Sequence, residues 1–226
     1  MEIYIQKLNS QHPIDENQVL ELLESGQLVP GDLACLRGMQ EWKPLWTLPG
    51  LPSIVKEILL METGLKQVAI KLRMWRSYED NLLLRKKFED AVDEWEEEVV
   101  KPFNSNFPNH PLGISGQVYM YFYRALLKVK SNAFMIFDSE DDPMAETIAL
   151  MQKENATEAI ALFDKAIELS DSPEFHLMKF EPLLYLERFE DADEEIDYVL
   201  ENFAHDEKAC KEALRQREIL DSEFDE

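Results

Sequence analysis

The sequence predicts a mainly α-helical protein with a small α+β module at its N-terminus and a helical bundle running into a short α-solenoid. Three observations carry this. Seven glycines in 226 residues are too few for a glycine-rich β fold. Through most of residues 52–226, apolar residues recur at spacings of three and four, the period of a helix with one buried face. Two-residue alternation, the mark of a half-buried strand, is confined to the first 51 residues. The predicted segments are 1–51, 52–137 and 138–226.

In the first segment, Ile3 and Ile5 face one side of a short strand and Tyr4 the other. The turn QHPIDENQ follows. Asp15 is placed to cap a helix from Glu16, with Gln18 reaching back as in a capping box. Val19, Leu20, Leu22 and Leu23 form the apolar stripe of that helix, and Gly26 is its expected stop. LVPGDLACLRG reads as a turn and a strand, DLACL, in which Cys35 is expected to be a small buried hydrophobe. WKPLWTLPGL is too rich in proline for a regular element.

This order resembles the second bacterial type of GYF-like domain. The resemblance rests on LELLESGQL, with Leu20, Leu23, Gly26 and Leu28, on Asp32 and Leu33, and on the tail Gly38, Met39, Trp42, Pro44 and Leu48. It covers about the first 50 residues. It departs at His12-Pro13-Ile14, where the family carries a Gly-Pro-aromatic turn and classical members build part of an aromatic groove. The resemblance implies a small interaction module, similar to domains that bind proline-rich peptides. Flat aromatic faces accept a preformed polyproline helix with little loss of entropy. A fold of this size has few residues from which to make a core, so Met39 and Trp42 are expected there. Tyr4, Pro13 and Trp46 are the candidate peptide-binding residues.

In the middle segment, Ser53 is placed to cap a helix through Ile54, Ile58 and Met61 that halts near Gly64. A second helix is expected from Leu65, with Val68, Leu72 and Trp75 on one face. SYEDNLLLRKKFEDAVDEWEEEVVKPF continues helically, with Leu84, Phe88, Val92, Trp95 and Val99 at spacings of four and three. That stripe reads as core rather than as an aromatic cofactor box. NSNFPNHPLGIS is the expected loop, and Ser115 is placed to cap a long helix with Val118, Phe122, Leu126, Val129, Ala133 and Phe137 on its apolar face. The run YMYFY exceeds what one helix face requires, so part of it packs on a neighbour or stays exposed.

In the last segment, Ala159, Phe163 and Ala166 mark a helix preceded by a first helix, ETIALMQKE. Thirty-three residues on, Ala192, Ile196 and Val199 repeat the theme after FHLMKFEPLLYLE. Ser172 and Pro173 make a cap and first turn between the units, and Pro182 should bend the helix it falls in. Over about residues 140–221 this resembles two tetratricopeptide repeats and a capping helix. It departs from the family in its spacing, one residue under the usual 34, and at Pro143 and Glu146, where large apolar residues usually sit. Since roughly three repeats are needed to bury a continuous core, the middle helices are expected to stack on these two. The family binds peptides or helices on the concave surface lined by first helices, and some members clamp a terminal carboxylate with Lys and Asn. Lys153, Asn155 and Lys179 are the concave-face candidates.

Charge narrows the partners. The net charge is −23: −4 over residues 1–51, +1 over 52–137 and −20 over 138–226. Such a chain lacks the basic footprint for nucleic acid, and its last segment suits a basic or apolar partner segment. No apolar run approaches a membrane span, and MEIYIQKL has no signal-peptide pattern, so a cytoplasmic location is expected. Cys35, Cys210 and the four histidines are scattered, so no metal site and no cofactor are expected. No nucleophile–base pair or phosphate-cradling glycine loop is visible. The expected function is a non-enzymatic adaptor or scaffold that binds proteins or peptides, basic or proline-containing. A dedicated chaperone or immunity-type protein masking one basic client, and an enzyme with its site in the middle helices, stay open.

Overall fold

The alternating stretches pair as a sheet. In the computed structural model, which describes residues 2–8, 12–25, 27–49, 54–77, 81–108, 110–132 and 145–224, β1 (Ile3–Ile5) runs antiparallel to β2 (Leu33–Leu36). Ile3 lies opposite Leu36, Tyr4 opposite Cys35 and Ile5 opposite Ala34. The proline-rich stretch, expected to be irregular, adds a short edge strand, β3 (Lys43–Pro44), with Leu33 opposite Pro44 and Ala34 opposite Lys43. An edge is where a strand tolerates proline, because no ladder N–H is needed there. The protein is mainly helical with this small sheet at its N-terminal end, and it divides into two compact units, Met1–Gly116 and Gln117–Glu226.

In the first unit, α1 (Glu16–Glu24) starts at the expected capping box. Gln18 N donates to Asp15 Oδ1 at 2.9 Å and Asp15 N to Gln18 Oε1 at 3.0 Å. The expected stop, Gly26, and the expected cap, Ser53, lie outside the described residues. Ile3, Ile5, Val19, Leu23, Leu28, Ala34, Leu45 and Leu48 are buried and supply the module's core. The imidazole of His110, also buried, contacts the Leu23 carbonyl through Nε2 at 3.0 Å and accepts from Leu112 N at 3.1 Å. With Nδ1 accepting, the proton sits on Nε2, a neutral tautomer that ties the end of α1 to the segment before residue 116.

Three expectations for the helices of this unit change. The two helices expected to meet at Gly64 are one, α2 (Ile54–Arg76), because the glycine makes room for a ring rather than ending a helix. A Cβ on Gly64 would collide with the buried indole of Trp95 from α3 (Leu82–Trp95). α3 starts at Asn81, whose side chain accepts from Leu83 N and Leu84 N, both at 3.1 Å. Its stripe Phe88, Val92 and Trp95 is buried, but a π-helical turn over Glu96–Val100 inserts one residue, so Val100 takes the core position expected of Val99. α4 (Lys101–Asn106) follows, and α5 (Pro111–Asn132) begins four residues before Ser115. Pro111, with its preset φ and no N–H to satisfy, starts that helix, which leaves Ser115 inside it. Ala133 and Phe137 lie outside the described residues.

In the second unit, the C-terminal part of α5 buries Val118, Met120, Phe122, Tyr123 and Ala125–Leu127, as the excess of apolar residues requires, while Tyr119 stays exposed. The ring of Phe122 lies 5.4 Å from Phe175 and 6.3 Å from Phe163. α6 (Ala145–Leu169) is a single helix where two were expected, with Ala156 buried mid-helix. NATEAIA is itself a good helix former and contains neither proline nor glycine to stop the preceding turn. Pro143 lies outside the described residues. The next helix does break: Pro182 has no N–H for the Met178 carbonyl, and the chain turns at Lys179 between α7 (Pro173–Met178) and α8 (Phe180–Tyr185). α9 (Phe189–Asn202) and α10 (Glu207–Phe224) complete the unit around Ile160, Phe180, Leu183, Ala192, Ile196, Val199, Ala213 and Leu220.

Candidate functional site

Strand register decides what the N-terminal module shows to its surroundings. Residues opposite one another on paired strands share a face. Ile3, Ile5 and Ala34 take the inner one and are buried. Tyr4 and Cys35 therefore take the outer face, and continuing the β2–β3 register by one residue puts Trp42 in the same row. Leu33 and Pro44 form the next row. This corrects two expectations: Cys35 is only half-buried, and Trp42 is 47% exposed rather than in the core. Both follow from one cause, since Ala34 faces inward and its neighbours on either side must face out. Met39 is half-buried at the turn before β3, where Gly38 adopts φ 91°, a conformation suited to glycine.

Trp46 lies in the 3-10 turn Leu45–Thr47 directly after β3 and is 46% exposed. The turn is anchored rather than loose: Leu45 N donates to the Asp32 carbonyl at 2.8 Å and Trp46 N to the Pro30 carbonyl at 3.1 Å. Asp32 in turn accepts from Val29 N at 2.9 Å. The other two tryptophans, Trp75 and Trp95, are buried in the helices. Pro13 is half-buried and precedes Ile14, which exchanges two backbone bonds with Ile3, at 2.9 and 2.8 Å. Pro13 thus sits on the far side of β1 from β3, whereas Tyr4, Trp42, Leu33 and Pro44 share the outer face and Trp46 is exposed in the turn that follows β3.

The three concave-face candidates do not converge. Lys153 and Asn155 are two positions apart on α6 and diverge by about 200° around its axis. Lys179 is 8% exposed and already neutralised: its Nζ lies 2.7 Å from Asp164 Oδ1 and pairs with Glu195 Oε1. A lysine held this way cannot clamp a partner's carboxylate.

Lys179 belongs to a partly buried ionic cluster that joins α6, α7 and α9. His176, 6% exposed, places Nδ1 at 2.5 Å from Glu195 Oε2 and Nε2 at 2.8 Å from Asp171 Oδ1. The Tyr198 ring stacks on it at 4.4 Å, and the Tyr198 hydroxyl donates to Asp171 Oδ2 at 2.8 Å. Burial pulls the His176 pKa down, but the hydrogen bonds and charges of the two carboxylates outweigh it and hold the pKa above the ordinary value. Burial likewise pushes Glu195 up, and the bonds from His176 and Lys179 bring it below the usual carboxylate range. With a carboxylate oxygen facing each nitrogen, the protonated imidazole donates from both and in that form has no lone pair for base catalysis or metal binding. The cluster acts as a clasp. Sequence offered no signal for it, since its six members are spread from 164 to 198.

Beside the clasp, an open groove of about 1280 Å³ runs between α7 and α10, lined by Pro173, Leu177, Met178 and Leu214 with Glu174 and Glu207 among its charged residues. Among the described residues no group of three or more His, Cys, Asp or Glu is arranged to hold a metal ion, and no helix is long and apolar enough to cross a membrane. No protein-family model, curated protein or solved structure matches the chain.

Proposed function

We propose that the chain is a non-enzymatic interaction adaptor whose N-terminal module binds a short proline-containing segment of another protein. The observation that carries this is the anchored display of Trp42 and Trp46 at about half exposure, while Trp75 and Trp95 are buried. A tryptophan held in place but uncovered offers large apolar area at little entropic cost, and such residues dominate interface energies. Tyr4 and Leu33 extend the surface, and a polyproline helix fits it by stacking on flat rings. The GYF-like resemblance of residues 1–51 points the same way. The second unit, with its tetratricopeptide-like helices and net charge of −20 over residues 138–226, supplies the adaptor's other arm, a face for basic segments.

Titrating the full chain with proline-rich peptides and following tryptophan fluorescence tests the first arm. Saturable binding is expected, weakened about tenfold or more in Trp42→Ala/Trp46→Ala. Both side chains are exposed, so the double variant keeps its fold, which circular dichroism checks. Binding that is equally strong in the double variant would refute the assignment.

A further inference from the structure

The end of the α2–α3 hairpin combines exposed aliphatic side chains with exposed positive charge. The helices run antiparallel, with Trp75 stacked on Phe88 at 5.4 Å and Gly64 against Trp95, so the last turns of α2 lie at the same end as the first turn of α3. There Leu82 and Leu83 are 64% and 63% exposed, more than any other large apolar residues among those described. Ile70 and Met74 are exposed as well. Residues 66–87 hold seven Lys and Arg against two Asp and Glu, in a chain whose net charge is −23. Lys66, Ile70 and Arg73 follow the i, i+4, i+7 spacing of one helix face, with Met74 beside them. Lys66, Arg73, Arg76 and Lys87 are exposed and make no ion pair among the described residues.

The matching surface is in the same sequence. On α9, Glu190, Glu194, Asp197 and Glu201 recur at spacings of four, three and four, and all are exposed. Arg217 pairs with Asp197 at 2.7 Å, while Glu190, Glu194 and Glu201 make no ion pair among the described residues. The second unit also exposes Leu150, Met151 and Leu214 as apolar contacts. We infer that the basic, apolar end of the α2–α3 hairpin docks on the acidic second unit of another copy of the chain, with the outer row of α9 as its counter-charge. An anionic lipid surface shares the chemistry of this acidic face, but it would have to accept the large negative charge of the same molecule. A second copy supplies the complement itself. The inference rests on reading the second unit as a face for basic segments and is independent of the aromatic face.

Sedimentation velocity of the full chain across a wide concentration range, at low and high salt, tests this. Self-association is expected at low salt and should fall as salt screens the contact. Leu82→Ser/Leu83→Ser should weaken it about tenfold or more, since two exposed leucines lose their burial. Arg73→Glu/Arg76→Glu/Lys87→Glu and Glu190→Lys/Glu194→Lys/Glu201→Lys should each be monomeric alone and associate when mixed. A wild-type chain that stays monomeric at every concentration overturns the inference. So does association untouched by all three sets of substitutions, or a monomer that co-sediments with phosphatidylserine vesicles. A monomer that still bound the proline-rich peptide would remove self-association and leave the adaptor reading in place.

Discussion

Gly64 and Gly116 show how a residue with no side chain is read by its surroundings. Both lie inside helices, where alanine is ordinarily preferred by about 1 kcal/mol. A Cβ at Gly64 meets the rigid, buried ring of Trp95, whereas a Cβ at Gly116 meets the methyl end of Met61, which can swing aside. Gly64→Ala is therefore expected to destabilise the protein by about 1–3 kcal/mol through overpacking, and Gly116→Ala to be neutral or slightly stabilising. Urea denaturation of the two variants decides this, and equal losses would refute the distinction. Trp42 and Cys35 give the same lesson on a sheet. Composition marks them as core, but the inward position of Ala34 leaves them the outer face.

At the scale of elements, the clasp between α6, α7 and α9 sets a pH window. His176 has its pKa raised above 6.5, so its contribution is whole below about pH 6.5 and is lost as pH rises through the raised value. Glu195 and Asp171 are lowered from 4.5 and 3.8, so theirs are whole above those values and are lost as pH falls through the lowered ones. Thermal melts should show greatest stability between these limits, and His176→Gln should flatten the alkaline side and weaken the acid side to what Lys179 and Tyr198 still supply. An alkaline slope unchanged in that variant would show that His176 does not titrate there. Glu195→Ala, which takes a carboxylate from both Lys179 and His176, is expected to cost about 3 kcal/mol, measured by denaturant unfolding. The helices themselves were legible in their apolar spacing, and so were the capping box at Asp15 and the break caused by Pro182. The π-helical turn at Glu96–Val100 was not, because the spacing that predicts Val99 assumes an uninterrupted α-helix.

For the whole molecule, charge acts with two opposite signs. Net charge of −20 over residues 138–226 makes the folded second unit repel itself, so its melting temperature should rise from low to moderate salt. The same salt should dissociate the copies, and a melting temperature that falls instead would mean that ion pairs outweigh the repulsion. The sequence by itself determined the mainly helical class, the small N-terminal sheet and the partition of charge, because periodicity, composition and count are properties of neighbours along the chain. Tertiary structure alone decided that Trp42 faces outward, that Lys179 is neutralised within a clasp, and that Leu82 and Leu83 stand beside exposed basic residues at one end of a hairpin. Each of these depends on which distant residue lies opposite, through strand register, helix packing or ion pairing, and a linear pattern does not contain that information.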